Sequence, residues 1–571
     1  MRLVQSNLPV VMSPVWLVFW AGLLSLCWLL PVHFPPWSTF PADSWAAIMS
    51  LVATGALVVR RREKLVWHSF PCLVAALALL PWLQFFTGLL PYGGQAWMSS
   101  AYLLGLLLTV LVGANWELIT PKQLVHGLFL AIGIASVVSV GLQLYTWLGQ
   151  AEDGALGLWS LGQVGSRPSA NLGQPNQLAT LLIWGLMACL WAFLHKLLAS
   201  PSALFTASFL LLGLAMTQSR TGLLAATTLL LAVWFWKRVW PSQKLPFAAT
   251  GLYFVFLLYA PLLRWLDGAL LLGQESIRVR LSQQNEIRFT AWQLFSRAIM
   301  ERPMFGYGWT EATSAQMAVA EQFPGLGVLF SHSHNLFLDL LLWCGLPVGL
   351  MVTVFLIRWF WYKFVSIRQS EDAVLFMLVL AVGIHALLEF PLQYAYFLLP
   401  TGLVIGVLNA RLGARVIWVS PRWILAGLFL TAALVLGITL RDYAKVDTSY
   451  SQLRLEQSLL GQGRPPMGGP PEVWTLTHLR EWINMARAKP HAGMSQQALI
   501  DIDAIVVSYP SRSSVYQLAV ALALNGEPEK ARAWLAKLCK FTNVDECMLA
   551  KRSWAQDSLN DPRIAAVIWP D

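Results

Sequence analysis

Residues 331–357, SHSHNLFLDLLLWCGLPVGLMVTVFLI, set two histidines and an asparagine before a run of 22 residues that carries a single charge, Asp339. An α-helix crosses the roughly 30 Å hydrocarbon layer of a bilayer in about 20 such residues. The stretch therefore predicts a membrane span with polar groups at its mouth. The same test along the chain predicts spans at about 9–31, 44–59, 68–90, 97–114, 124–148, 174–195, 201–217, 221–236, 246–263, 334–357, 373–388, 395–410 and 423–440. Composition agrees, since 57% of the 571 residues are apolar, 12% are charged and the mean hydropathy is +0.58. The expectation is an all-α polytopic membrane protein with about thirteen transmembrane helices.

Orientation follows from Lys and Arg, which stay on the cytoplasmic side during insertion. With the N-terminus inside, cytoplasmic loops collect Arg2, Arg60, Arg61, Arg62, Lys122, Lys196 and Arg411 among sixteen basic residues. The outer loops keep eight: Arg167, Arg220, Arg264, Arg278, Arg280, Arg288, Arg297 and Arg302. An odd number of spans puts the tail outside. The net charge of +10 then needs no nucleic acid, because the tail from Arg441 onward holds 15 basic and 14 acidic residues. The first apolar run is too long for a signal-peptide core and is read as a retained anchor.

These patterns divide the chain into a transmembrane domain, 1–440, with a long outer loop at 264–333, and an exported helical domain, 441–571. The second holds a Gly/Pro-rich linker, GQGRPPMGGPPE, followed by amphipathic helical pattern that is clearest in SVYQLAVALALNGEPEKARAWLAKL at 514–538. There Ala519, Leu522 and Ala523 precede an Asn-Gly turn, and Ala531, Trp534 and Leu535 resume the apolar face, as in a tetratricopeptide-like (TPR-like) hairpin. Cys27, Cys72, Cys189 and Cys344 fall in expected spans as small apolar side chains, whereas Cys539 and Cys547 lie in the exported tail, where a disulfide can form.

Sorted by side, the polar groups cluster at the outer face. Gln174 and Asn176 open the sixth span, Arg220 lies between the seventh and eighth, and Arg288 lies in the long outer loop. His332, His334 and Asn335 open the tenth, and Glu389 follows the eleventh. Ionisable groups at a bilayer are costly and are kept for packing or for a site. Each has a plainer reading too: Arg220 as an interfacial snorkelling residue, His385 and Glu389 as partners of one another or of an adjacent helix, Asn and Gln as helix caps, Asp339 as an orienting group or a helix contact. The planar fork of arginine matches phosphate oxygens, so separated outer arginines suggest a pyrophosphate, and a lipid diphosphate fits a head group at the boundary with its tail among helices. Histidine accepts a proton at ordinary pH.

Other chemistries lack their motifs. The chain holds no GxxxxGK[ST], GxSxG or HExxH. Asp501 and Asp503 are two apart on an expected helix, where side chains diverge, and His332-x-His334 has no third ligand, so no metal site is expected.

SRTG at 219–222, RFTAWQLFSRAIMERPMFGYGW at 288–309 and HNLFLDLLLWCG at 334–345 resemble the O-antigen ligase and Wzy superfamily. SANLGQPNQLATLLIW at 169–184 and HALLEFPLQYAYFLLPTGLVIG at 385–406 resemble its PglL-type protein O-oligosaccharyltransferases. One departure is at Val348, where the ligase pattern has Gly, Thr or Tyr, with Gly349 one position later. The resemblance implies a GT-C-like fold in a bacterial inner membrane. It implies en bloc transfer of a glycan from undecaprenyl diphosphate to Ser or Thr hydroxyls of exported, pilin-like proteins, inverting, without metal or cofactor. On it, Arg220 and Arg288 hold the diphosphate and His334 deprotonates or orients the acceptor hydroxyl. His332, Asn335, Gln174, Asn176, Arg167, Glu389 and Tyr394 are candidates for substrate contact. A sugar-acceptor ligase or polymerase, and a non-catalytic transporter of lipid-linked glycan, are the alternatives.

Overall fold

The computed structural model describes residues 14–570 apart from 32, 61–63, 150–155, 157–158, 160–166, 271–282 and 459–467. Arg2, Arg61, Arg62, Arg278 and Arg280, and most of the Gly/Pro-rich linker, lie outside the described residues. In chain order the helices are α1 (Pro14–Ser25), α2 (Phe40–Arg60), α3 (Ser69–Leu77), α4 (Leu80–Phe86), α5 (Gly93–Ile119), α6 (Gln123–Trp147), α7 (Pro175–Leu194), α8 (Ser200–Met216), α9 (Arg220–Phe235), α10 (Lys244–Ala269) and α11 (Gln283–Glu301). They continue with α12 (Ala312–Val319), α13 (Leu336–Ser366), α14 (Ser370–Ala386), α15 (Ala395–Arg411), α16 (Arg422–Ser458), α17 (Thr477–Arg487), α18 (Gln496–Ser508), α19 (Arg512–Leu524), α20 (Pro528–Phe541), α21 (Val544–Asn560) and α22 (Pro562–Ala565). One antiparallel pair interrupts this pattern, β1 (Leu65–His68) with β2 (Val416–Ser420), where β-branched and aromatic residues favour strand.

Eight of the described helical segments are long and apolar enough to cross a membrane: α2, the α3–α4 stretch, α5, α6, α7, α10, α13 and α16. Residues 15–28 and helices α8, α9 and α15 are shorter apolar helices. Helices satisfy their own backbone groups, which is the condition for lying in lipid. The chain is an all-α polytopic membrane protein.

Two compact units divide the structure. The first combines Met1–Ala78, Ala101–Val279 and Ile357–Leu436; the second combines Leu79–Ser100, Arg280–Leu356 and Gly437–Asp571. The expected division into 1–440 and 441–571 follows chain order, whereas the units draw on separated segments, and α5, α13 and α16 supply residues to both.

Within the first unit α7 is central, with 72% of its most apolar window buried, against 11% for α10. At the C-terminal end of α7 the charges pair. Arg411 contacts Glu117 at 3.0 Å, Glu371 at 2.7 Å and Asp372 at 2.5 Å, and Lys122 and His195 reach Glu371 at 2.6 and 3.2 Å. Five chain segments meet in this network, and a 20-residue helix separates it by about 30 Å from the polar groups at the start of α7.

Within the second unit α13 breaks at Gly345, whose φ is +73°, two residues before Pro347. Proline offers no N–H and so frees a carbonyl one turn back. Three groups at the break find partners outside the helix. Tyr307 N donates to Leu342 O at 2.8 Å, Leu346 N to Pro303 O at 2.7 Å, and Gln84 Nε2 to Trp343 O at 2.8 Å, while Gln84 Oε1 accepts Trp309 N at 2.9 Å. The segment 302–309 is thereby strapped to the kink. The strap lies close enough that a Cβ on Gly306 would collide with the Leu342 carbonyl, and one on Gly345 with that of Met304. Beyond the break Gly349 packs on the Leu340–Leu341 backbone, so a small residue is required there even though Val348 holds the preceding position.

The C-terminal helices of this unit share one apolar core. Ala519, Leu522, Ala523, Ala531, Trp534 and Leu535 are all buried in it, and the expected hairpin is α19–α20. A capping box between Ser511 and Ser514 starts α19, and Asn543 caps α21. Cys539 and Cys547 form a disulfide between α20 and α21.

Candidate functional site

In the first unit three polar segments converge on Asn176. Pro175 opens α7 at the position where a missing N–H costs nothing. Next to it, Asn176 Nδ2 donates to Glu389 Oε1 at 3.1 Å, and its Oδ1 accepts the Ser219 hydroxyl at 2.7 Å. Ser219 Oγ in turn accepts the Gly222 N–H at 2.9 Å and so caps α9, whose first residue is Arg220. One turn into α7, Thr180 Oγ1 meets His385 Nδ1 at 2.8 Å, and Gln177 Oε1 accepts the Tyr396 hydroxyl at 2.7 Å. His385 and Glu389 thus bond to the adjacent helix, each to a different α7 residue.

The SRTG motif now has a physical reading. Ser219 is the cap, Arg220 is exposed, Thr221 is buried, and Gly222 lets α9 approach α7, since a Cβ there would lie 2.8 Å from that of Ala179. Gln174 is half-buried at the N-cap position of α7 without a side-chain cap bond. Tyr394 stacks on Phe390 with ring centroids 5.9 Å apart and lies 5.4 Å from Tyr396. Arg167 is half-buried before a strip whose Pro168 carbonyl accepts from Gln143 at 3.0 Å and whose Asn171 donates to Leu30 O at 2.6 Å. Asn171, Gln143, Ser219 and Thr180 were not among the residues singled out from sequence; the small and polar residues around LGQPNQ and SRTG are the local signal for Asn171, Thr180 and Ser219, and Gln143 has none.

In the second unit the SHSHN turn is built from the end of the apolar helix it precedes. Asn335 Oδ1 accepts Phe337 N at 3.0 Å and Leu338 N at 3.2 Å, capping α13. Asp339 accepts Ser333 N at 2.8 Å, Ser333 Oγ donates to Asn335 O at 3.0 Å, and Trp292 Nε1 reaches Ser333 O at 3.1 Å. Asp339 therefore closes the turn that carries both histidines. Between Ser333 and Asn335 the backbone of His334 is left-handed, with φ +59°. The His334 ring stands edge-on to Phe330 at 5.6 Å and that of His332 edge-on to Trp343 at 6.4 Å. Though part of its surface is open, His332 is enclosed closely enough that burial, with the neighbouring His334 second, pushes its pKa down to about 3. It stays neutral at ordinary pH. Arg288 lies near the start of α11, half-buried, one turn before Trp292.

The unit 1 cluster thus offers an exposed guanidinium at a capped helix start, and the unit 2 cluster offers a held imidazole beside a neutral one. Among the described residues no group of three or more His, Cys, Asp or Glu is arranged to hold a metal ion.

Three families match the chain in succession. Residues 168–193 match "Protein glycosylation ligase", 205–353 match "O-Antigen ligase", and 373–545 match "Virulence factor membrane-bound polymerase, C-terminal". In these stretches the chain is similar to protein glycosylation ligases and O-antigen ligases. The matched stretches contain Gln174 and Asn176 in the first, Arg220, Arg288, His332, His334 and Asn335 in the second, and Glu389 and Tyr394 in the third. The chain is similar to the General O-oligosaccharyltransferase of Acinetobacter baylyi (strain ATCC 33305 / BD413 / ADP1), 28% identical over 551 residues and covering 94% of each chain. It is also similar to the ComP-specific O-oligosaccharyltransferase of the same strain, 32% identical over 252 residues, 43% of this chain and 44% of that one.

Proposed function

We propose that this protein is an O-oligosaccharyltransferase that moves a preassembled glycan in one step from undecaprenyl diphosphate to Ser or Thr hydroxyls of exported proteins, pilin-like ones among them. The observation that carries this reading is the likeness to the General O-oligosaccharyltransferase, which covers 94% of both chains. The reaction takes place at the periplasmic face of a bacterial inner membrane. Thirteen spans with the N-terminus inside put the TPR-like helices on that side.

In this mechanism the acceptor oxygen attacks the anomeric carbon as the bond from that carbon to the diphosphate oxygen breaks. His334 takes the hydroxyl proton, and undecaprenyl diphosphate leaves with the bonding electron pair. Arg220 and Arg288 neutralise the charge that grows on the leaving oxygens, an electrostatic contribution whose loss costs about 100-fold or more in comparable sites. Gln174, Arg167 and Tyr394 contact glycan or head group. Histidine and arginine suffice for proton transfer and charge neutralisation, so the reaction runs without a metal.

The test is purified protein incubated with an undecaprenyl-diphosphate oligosaccharide, an exported protein fraction and lipopolysaccharide core. The expected result is a glycan mass on Ser- or Thr-containing peptides, unaffected by EDTA. Transfer to lipopolysaccharide core sugar instead would establish the sugar-acceptor reading.

A further inference from the structure

The chain of hydrogen bonds at the start of α9 has a direction. Gly222 N–H donates to Ser219 Oγ, the Ser219 hydroxyl donates to Asn176 Oδ1, and Asn176 Nδ2 donates to Glu389 Oε1, at 2.9, 2.7 and 3.1 Å. Each donor points toward the carboxylate, so each bond polarises the next. Asparagine suits the middle position because its amide accepts on one side and donates on the other. Glu389, 5% exposed, accepts the last of these three bonds.

Arg220 is the residue such a chain controls. It is the first residue of α9, where helix ends fray and where a cation opposes the positive end of the helix dipole. The turn before it is short and holds Gln218 in the left-handed region, with φ +48°. Ser219 N, bonded to Thr217 Oγ1 at 3.2 Å, adds one more restraint. Direct contact with the donor suits Glu389 poorly, since a carboxylate beside a diphosphate is repulsive.

We infer that Ser219, Asn176 and Glu389 are positioning residues that fix the helix start carrying Arg220, so that its guanidinium meets the donor diphosphate in one orientation. This rests on the proposed glycan transfer, with Arg220 as a diphosphate ligand. Small misplacement of such a group is expensive, about 100-fold for 1 Å in favourable cases.

The experiment uses the full-length protein in detergent, with undecaprenyl diphosphate as the binding probe and glycan transfer measured in parallel. Ser219→Ala and Asn176→Ala are each expected to weaken undecaprenyl diphosphate binding and raise the donor KM about tenfold, with the acceptor KM unchanged. Ser219→Thr, which keeps the hydroxyl, restores most of the loss. In the double-mutant cycle Ser219→Ala adds little once Arg220→Ala is present, because it acts through that residue. Full additivity of the two substitutions, a Ser219→Ala protein that binds the probe as wild type does, or an equal loss in acceptor KM would overturn the inference. A wild-type protein that neither binds undecaprenyl diphosphate nor transfers glycan sinks the functional reading instead, so the two failures are told apart.

Discussion

His334 sits in a backbone region that non-glycine residues rarely occupy, and such strain persists where neighbours over-determine it. Here Ser333 and Asn335 are bonded on either side, and Asp339 holds the turn from below. A positioned general base contributes about 10²–10⁴-fold. His334→Ala is accordingly expected to lower transfer by that order in a protein that still folds, as a melting curve with the wild-type midpoint would verify. His332 behaves otherwise. Burial lowers its pKa from 6.5 to about 3, so at pH 7 the folded and unfolded forms are both mostly neutral and no stability is lost. As pH falls below the ordinary histidine value the unfolded chain takes up a proton that the folded one resists, and stability drops until the folded value is reached. His332→Gln should therefore lose less stability than wild type between pH 6.5 and pH 4, read from Tm against pH, while leaving the neutral-pH activity profile in shape unchanged.

At the scale of elements, the kink of α13 is held by bonds from two distant segments. Gln84 alone joins the Trp343 carbonyl to the Trp309 N–H. Gln84→Ala leaves both buried groups unpaired, for an expected loss of about 1–3 kcal/mol per group in thermal or denaturant unfolding. A loss below a few tenths would contradict the accounting. A second strap leads to the same histidines. Leu326 N and Gly327 N both donate to Lys540 O, beside Cys539 of the disulfide, while Gln316 pairs with Val328 O and Phe330 N. The disulfide thus braces the surface on which 326–330 lies. Cys539→Ser is expected to increase proteolytic cleavage within 324–330, detected by peptide mapping under native conditions; unchanged cleavage would separate loop from disulfide. Apolar windows located the helices because length and composition are local properties. The strap and the β1–β2 pair were hidden because each depends on a partner far along the chain.

At the scale of the molecule, the second unit gathers segments from the beginning, middle and end of the chain around Glu311. Buried at 4% exposure, it accepts from Gln95 on α5, Ser314 on α12 and, at 3.3 Å, Ser508 on α18, all of them neutral. Burial raises its pKa above 4.5, so the folded state favours the proton. Its stabilising contribution is full below the unfolded value and is lost as pH rises through the folded one. Glu311→Gln should raise Tm at pH 8 and change it little at pH 4. Little of this was legible beforehand. The α19–α20 hairpin announced itself through Asn525-Gly526 and an apolar face, and the polar residues at the mouths of spans marked Arg220, Asn176 and His334. What Asn176 bonds was not, since Ser219 lies 43 residues away and Glu389 213, and composition carries no such pairing.

The central claim is that this chain transfers a glycan to exported proteins through His334. Mass spectrometry of exported proteins tests it most directly, in cells that carry the chain, cells that lack it, and cells in which the His334→Ala form is restored. The account predicts Ser- and Thr-linked glycopeptides in the first only. Glycopeptides that persist without the chain, or that return with His334→Ala, would contradict it.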